Sequence, residues 1–361
     1  MPSRVPPARI VRVIERFRHR LNRIHRRSVP APVALLEMIF TAWSAQGLVV
    51  ACQLHVADAL ADGPLTIDEL AKRVGADPAA LGRLLRALIG EGIFTQTRDG
   101  RYALNAMAEP LRSDAEVSVA AMARFVGSRQ HREHWSHLVD AIRTGEPVVP
   151  TLRGMDTFEY FTAEPELGQV FNEAMTSISE FALAPTISAY DFTPFPTIVD
   201  VGGGHGRLLS AVLGTSPQAT GVLYDRPEVV ASAPELLSRY GVRDRVQILS
   251  GSFFEGAPTG GDLYILKNII HDWPDASALN ILQNIRVAAE RGATLLLVET
   301  VIPDHDREFA GKWTDMEMLL TLGACERTAG EYQTLLKRAG FQMTRVVPTA
   351  SPFSLVEAKV E

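Results

Sequence analysis

From residue 197 to the end of the chain, short apolar runs alternate with segments of helical period. The run Ile198-Val199-Asp200-Val201 is followed by Val222–Asp225, Val246–Leu249, Asp262–Leu266 and Thr294–Glu299. Runs this short, with little polar alternation, suit strands covered on both faces, as parallel strands are when helices pack above and below. Their alternation with helical segments predicts an α/β fold, a Rossmann-like doubly wound sheet. A helix over Glu331–Arg338 and strands around Thr344–Val347 and Leu355–Val360 close the chain.

The first third has a different rhythm. From Pro32, the residues Leu35, Leu36, Ile39, Phe40 and Trp43 share one helical face. Leu48, Val49, Cys52, Leu54 and Val56 continue as a second helix, apolar on most sides, which predicts burial on several sides and a subunit interface. Thr66-Ile67-Asp68-Glu69 has the form of a capping box for a helix running to about Val74, and Asp77-Pro78 opens another that carries Leu81, Leu85 and Leu88. Asp99-Gly100 then marks a hairpin turn. Helix, turn, helix, hairpin is a winged-helix arrangement. A DNA-reading helix needs exposed basic or amide side chains, and this one offers only Arg83 and Arg86 among Asp62, Asp68, Glu69, Asp77 and Glu91. A scaffold for dimerisation is therefore expected, and no nucleic-acid partner. Residues 115–190 show further helices over Val117–Phe125, Trp135–Ile142 and Glu166–Phe181. The expected division is an N-terminal extension over 1–30, a mainly α winged-helix dimerisation domain over 31–114, connecting helices over 115–190 and the α/β domain over 191–361.

Charge changes the picture at the N-terminus. The chain of 361 residues carries a formal net charge of −6, yet residues 1–30 hold nine Arg against one acid, Glu15, so the remainder carries −14. A poorly ordered extension is expected there, with a short basic amphipathic helix between Ile10 and Ile24 as the alternative. No segment approaches the ~18 uncharged apolar residues that span a bilayer, and no signal peptide is visible, so no membrane span and a cytoplasmic location are expected. Two cysteines, Cys52 and Cys325, fit a reducing compartment and form no metal-ligand cluster.

The first strand run breaks into Gly202-Gly203-Gly204-His205-Gly206-Arg207. Glycines at 202 and 204 let the turn adopt positive φ and let a ligand reach the main chain, at the N-terminus of the following helix. A dinucleotide fingerprint needs a third glycine at 207, where this chain has Arg. Asp225 ends the next strand about 20 residues on, a position from which a carboxylate accepts hydrogen bonds from a ribose diol.

Asp200–Gly206, Tyr224–Pro227, Gly251–Phe254, Leu266–Pro274 and Asp315–Thr328 occur in the order seen in S-adenosylmethionine (SAM)-dependent O-methyltransferases of the caffeic-acid type, and residues 33–358 resemble that family. The resemblance implies SAM as cofactor, S-adenosylhomocysteine as product, a homodimer, and no metal. By that likeness His271 is the general base, with Glu299 and Glu326 flanking its imidazole. Ser179, Asp200, Gly202, Gly204, Asp225, Ser252, Phe253 and Lys267 are implied to hold the cofactor. Trp135, Phe171, Met175, Trp313, Met316 and Met318 are implied to line the site for a small aromatic or polyketide-like acceptor, and Met and aromatic side chains suit a flat apolar ligand. The chain departs from the family at Ser252, where an Asp is usual, and at Ala324 and Cys325 beside Glu326. Two other readings stand beside transfer to a hydroxyl: a SAM-binding relative that hydroxylates or decarboxylates, and a winged-helix ligand-sensing regulator.

Overall fold

A computed structural model describes residues 5–361. The chain divides into two compact units. One comprises Ala182–Glu361 and Val139–Leu152 with the start of the chain through His19; the other comprises Arg20–Leu138 and Arg153–Phe181.

The helical unit follows the predicted pattern at most of its punctuation. Helix Ile67–Val74 opens on a capping box in which Thr66 Oγ1 accepts from the Glu69 N–H and Glu69 accepts from the Thr66 N–H at 2.8 Å. Helix Pro78–Gly90 starts at Asp77, whose carboxylate accepts from the Ala80 N–H. Each such cap stabilises its helix by about 1 kcal/mol. Strands β1 (Thr95–Gln96) and β2 (Tyr102–Ala103) form the hairpin around Asp99-Gly100. Leu70, Leu81, Leu85, Leu88 and Phe94 are fully buried and centre the core of this unit.

Several expectations need correction. Residues 8–27 are a helix, α1 (Ala8–Arg27), so the basic amphipathic helix expected as the alternative between Ile10 and Ile24 is the outcome, and not a poorly ordered extension. The first apolar segment after Pro32 and the start of the second, through Cys52, form one continuous helix, α2 (Ala31–Gln53), which ends before Leu54 and Val56, and only Val49, Ala51 and Cys52 of it are buried. Trp43 is 70% exposed, and Leu35, Ile39 and Phe40 are open as well. Apolar breadth here reflects a face that stays open among the described residues. With a single charge, Glu37, α2 is also long and apolar enough to cross a membrane by length and composition alone, against the expectation from the sequence. The segment Trp135–Ile142 is two helices, Arg129–Ser136 and Leu138–Thr144, broken at His137. The last helix of this region runs from Pro165 to Ala189, continuing through Pro185.

The other unit is built on a sheet whose strands match the predicted runs: β3 (Thr197–Val201), β4 (Thr220–Asp225), β5 (Val246–Ser250), β6 (Leu263–Lys267), β7 (Thr294–Ile302), β8 (Arg327–Thr328), β9 (Phe341–Pro348) and β10 (Phe353–Val360). Their order is β5-β4-β3-β6-β7-β10-β9, with β8 paired to the end of β7. β3 to β7 are parallel neighbours, and β10 runs antiparallel to both β7 and β9. Residues Leu295–Glu299 of β7 have no solvent exposure, so its strand register is set by packing on both faces. Sequence order reverses between β3 and β6. In open α/β sheets the crevice beyond the strand ends at such a reversal is where ligands bind.

Candidate active site

The glycine loop leaves β3 at that reversal. Gly202 has φ +69°, and a Cβ there would lie 2.6 Å from Ile269 Cδ1, so any side chain would collide. Gly204, at φ +60°, would meet nothing within 4 Å. It is required by its left-handed backbone, and it keeps the main chain open to a ligand. The Gly204 N–H donates to Asp225 Oδ2 at 2.8 Å, and the Arg226 N–H donates to Oδ1 at 2.7 Å. Each carboxylate oxygen retains a lone pair for a diol.

Asp200 lies under the loop, buried, with Oδ2 lacking a partner among the described residues. Burial pushes its carboxyl up to about 7, with Lys267 opposing and Asp225 adding to the shift. A buried carboxylate with an unused oxygen favours a cationic or hydrogen-donating group nearby. The Phe253 ring packs against Phe254 and Trp273, with centroids at 5.0 and 6.3 Å, and the Phe253 carbonyl accepts from Asn284 at 2.9 Å. Ser252 Oγ accepts from the Phe254 N–H at 3.3 Å, a local turn bond. An acid at the strand end, an open glycine turn, an orphaned buried oxygen and a packed aromatic ring together fit SAM.

The second part of the site follows β6. Asn268 takes φ +54°, a left-handed position that Asn tolerates better than most residues. This kink sends the chain into the short turn Ile270–Asp272, which carries His271. Glu299 on β7 secures the turn: its Oε1 accepts from the N–H groups of Ile269 at 3.1 Å and Ile270 at 2.9 Å. His271 Nδ1 is hydrogen-bonded to Glu326 Oε1 at 2.9 Å, and Nε2 lies 3.4 Å from Asp272 Oδ1. The Glu326 N–H donates in turn to Asp315 Oδ1 at 2.9 Å.

Arg327, only 2% exposed, holds this arrangement from behind. Its guanidinium donates to the Ile270 carbonyl at 3.0 Å, the Trp273 carbonyl at 3.1 Å and Asp275 at 2.7 Å, bracketing His271 on both sides.

Burial alone would lower the His271 imidazole. Asp272, Glu299 and Glu326 outweigh it and raise the group to about 10. Burial moves Glu299 the other way, up to about 7, and Asp272 up to about 6, each opposed by His271. The ligand-type atoms of His271, Glu299 and Glu326 lie within 4.8 Å of one another, so both acids flank the imidazole as the resemblance implies, in a grouping that by composition could also hold a metal ion. Three of its atoms are already engaged: His271 Nδ1 and Glu326 Oε1 with each other, and Glu299 Oε1 with two main-chain N–H groups.

The structure brings Asp200, Gly202, Gly204, Asp225, Ser252, Phe253, Lys267, His271, Glu299 and Glu326 together in the sheet unit, at or just beyond the strand ends. Trp313, Met316 and Met318 belong to the same unit, on helix Gly311–Leu322. Met318 is buried, Met316 half-buried, and Trp313 is 68% exposed. Trp135, Phe171, Met175 and Ser179 belong to the helical unit. There Phe171 stacks on Phe161 at 4.3 Å and meets Phe125 edge-on at 5.3 Å, while Trp135 lies 6.4 Å from His131. Sequence reasoning passed over Asp272, Asp315 and Arg327, although all three fall inside the motif blocks that carry the resemblance.

Comparison with known proteins identifies the family. The family model described as an O-methyltransferase domain matches residues 135–342, and the O-methyltransferase dimerisation domain matches residues 36–114. Phenazine O-methyltransferase PhzM of Lysobacter antibioticus is 41% identical over 332 residues, covering 92% of this chain and 97% of that protein. The 8-amino-8-demethylriboflavin N,N-dimethyltransferase of Streptomyces davaonensis is 34% identical over 86% of this chain and 90% of its own length. The crystal structure of NcsB1, an O-methyltransferase from neocarzinostatin biosynthesis in complex with SAM and 2-hydroxy-5-methyl naphthoic acid, superposes with a TM-score of 0.75. It is 32% identical and covers 88% of this chain and 96% of that one. The chain therefore belongs to the SAM-dependent O-methyltransferases that join this catalytic domain to this dimerisation domain.

Proposed function

We propose that the protein methylates a hydroxyl on a small, planar aromatic molecule, with His271 as general base and without a metal. The observation that carries this reading is the 2.9 Å bond between His271 Nδ1 and Glu326, which leaves Nε2 as the nitrogen that can take a proton. A phenol has a pKa near 10 and is a weak nucleophile at neutral pH unless its proton leaves as it attacks. SAM supplies a sulfonium-activated methyl group, whose carbon–sulfur bond breaks to leave S-adenosylhomocysteine as the oxygen–carbon bond forms. Nε2 of His271 receives the hydroxyl proton. Glu326 fixes the tautomer and, with Asp272 and the free oxygen of Glu299, stabilises the imidazolium that results.

The raised imidazole suits that second stage, because the site holds the proton it has taken. Before transfer the ring must be neutral. A positive charge facing the acid cluster opposes the three carboxylates and lowers the imidazole, so the cofactor's own charge favours the working form. Gly202 and Gly204 would face the methionine end, Asp225 the ribose and Phe253 the adenine, with Lys267 alongside. Trp313 and Met316 favour a flat apolar acceptor. Relatives that methylate nitrogen support a second reading, transfer to an aromatic amine. The acid-backed base favours the hydroxyl, since a neutral amine attacks with its lone pair before any proton has to leave.

The helix, turn, helix, hairpin segment serves as a dimer scaffold in this reading, with the open apolar face of α2 covered by a second copy. The test is transfer of labelled methyl from SAM to a panel of hydroxylated and aminated phenazines, naphthoates and benzoates, with and without a chelator. Transfer to hydroxylated members, unchanged by the chelator, is expected. Transfer only to amines, or loss of activity on chelation, would contradict the proposal.

A further inference from the structure

Helix α1 lies outside both matched domains, and nothing in the methyl-transfer site uses it. Ile10, Val13, Ile14, Phe17, Leu21 and Ile24 recur at spacings of three, four and seven, so they form one stripe about 100° wide. None of them is buried; their exposure runs from 45% to 66%. The side of the helix that is partly covered is the opposite one, where His19 is hydrogen-bonded to Glu308. Beside the stripe, Arg9, Arg12, Arg16, Arg20, Arg23 and Arg27 repeat every three or four residues and make one continuous row. Arg18 and His25 edge its other side, and Glu15, the one acid of the helix, lies away from both edges.

We propose that α1 docks flat on a bilayer surface rich in anionic phospholipid. The apolar stripe enters the boundary between headgroups and acyl chains, while the arginines reach back to the phosphates. Charge decides among the occupants. Duplex nucleic acid would satisfy the arginine row and leave six apolar side chains in water. A second α1, parallel or antiparallel, would set one basic edge against another basic edge. An anionic leaflet answers both features at once, and each arginine near such a surface adds to the attraction.

The experiment is co-sedimentation of the full-length protein with vesicles of phosphatidylcholine alone and of phosphatidylcholine with about one third phosphatidylglycerol. It is run at low and high salt beside two variants, Phe17→Asp/Leu21→Asp and Arg16→Gln/Arg20→Gln/Arg23→Gln. The proposal expects binding to the anionic vesicles only, weakened by salt and lowered about tenfold or more in each variant. Methyl transfer and oligomeric mass should stay as in the parent. No sedimentation with anionic vesicles, equal binding to both compositions, or binding untouched by either variant would overturn it. A fall in oligomeric mass in the apolar variant would assign the stripe to a subunit contact instead. Retention on duplex DNA that only the arginine variant loses would assign the row to nucleic acid.

Discussion

His271 meets three carboxylates, and their geometry divides the work among them. Glu326 bonds Nδ1 directly, Asp272 stands 3.4 Å from Nε2, and Glu299 spends one oxygen on the Ile269 and Ile270 N–H groups while its other oxygen lacks a partner. Glu326→Gln keeps a polar contact to the ring and removes one of the charges that raise it. The imidazole then falls from its raised position toward neutrality. Because the base must be unprotonated to work, activity rises with pH through its pKa, so the acid limb of kcat/KM should move to lower pH. The imidazolium formed in transfer also loses its main partner, and kcat should drop about tenfold to a hundredfold. A pH–rate profile of the variant beside the parent checks both, and an unmoved limb would mean that Glu326 does not set the base.

At the scale of elements, the turn Ile270–Asp272 depends on two supports from outside itself, Glu299 on β7 and Arg327 on β8. Arg327→Leu would leave the Ile270 and Trp273 carbonyls without their donor. Asp275, largely exposed, would return to water at little cost. The expected loss is about 2–4 kcal/mol of folding stability, read by denaturant titration, with Arg327→Lys recovering part of it. Stability unchanged in the leucine variant would count against Arg327 as a support of the turn.

What the sequence made legible follows the same division. The inner parallel strands were readable because both faces are buried and the runs are mostly apolar, as in Leu295–Val298, whereas β5 at the sheet edge is only partly covered. His271, Glu299 and Glu326 were readable only through the family motifs, since 55 residues separate His271 from its Nδ1 partner. The positive φ of Asn268, which aims the turn, leaves no trace in hydrophobic pattern. Arg327 looked like any charged residue in a motif; its burial comes from carbonyls contributed by another segment. Apolar periodicity shows neither the break at His137 nor the passage of a helix through Pro185.

Across the whole molecule, the proposed dimer rests chiefly on α2. Its pattern predicted burial on several sides, yet Leu35, Ile39, Phe40 and Trp43 stand open. A contiguous apolar face of this kind marks an interaction surface. Ile39→Glu should place a charge in the subunit interface and weaken the dimer about tenfold or more, seen by sedimentation as a shift toward monomer with the helix content intact. A dimer of unchanged strength would remove α2 from the interface.

The central claim is that methyl transfer runs through His271. Its most direct test is single-turnover transfer of labelled methyl to an aromatic acceptor at saturating SAM, comparing the parent with His271→Ala across pH. The account predicts a loss of about a hundredfold or more in the chemical step and a rate that no longer follows the imidazole's titration. A variant within a few-fold of the parent, with the same pH dependence, would contradict it.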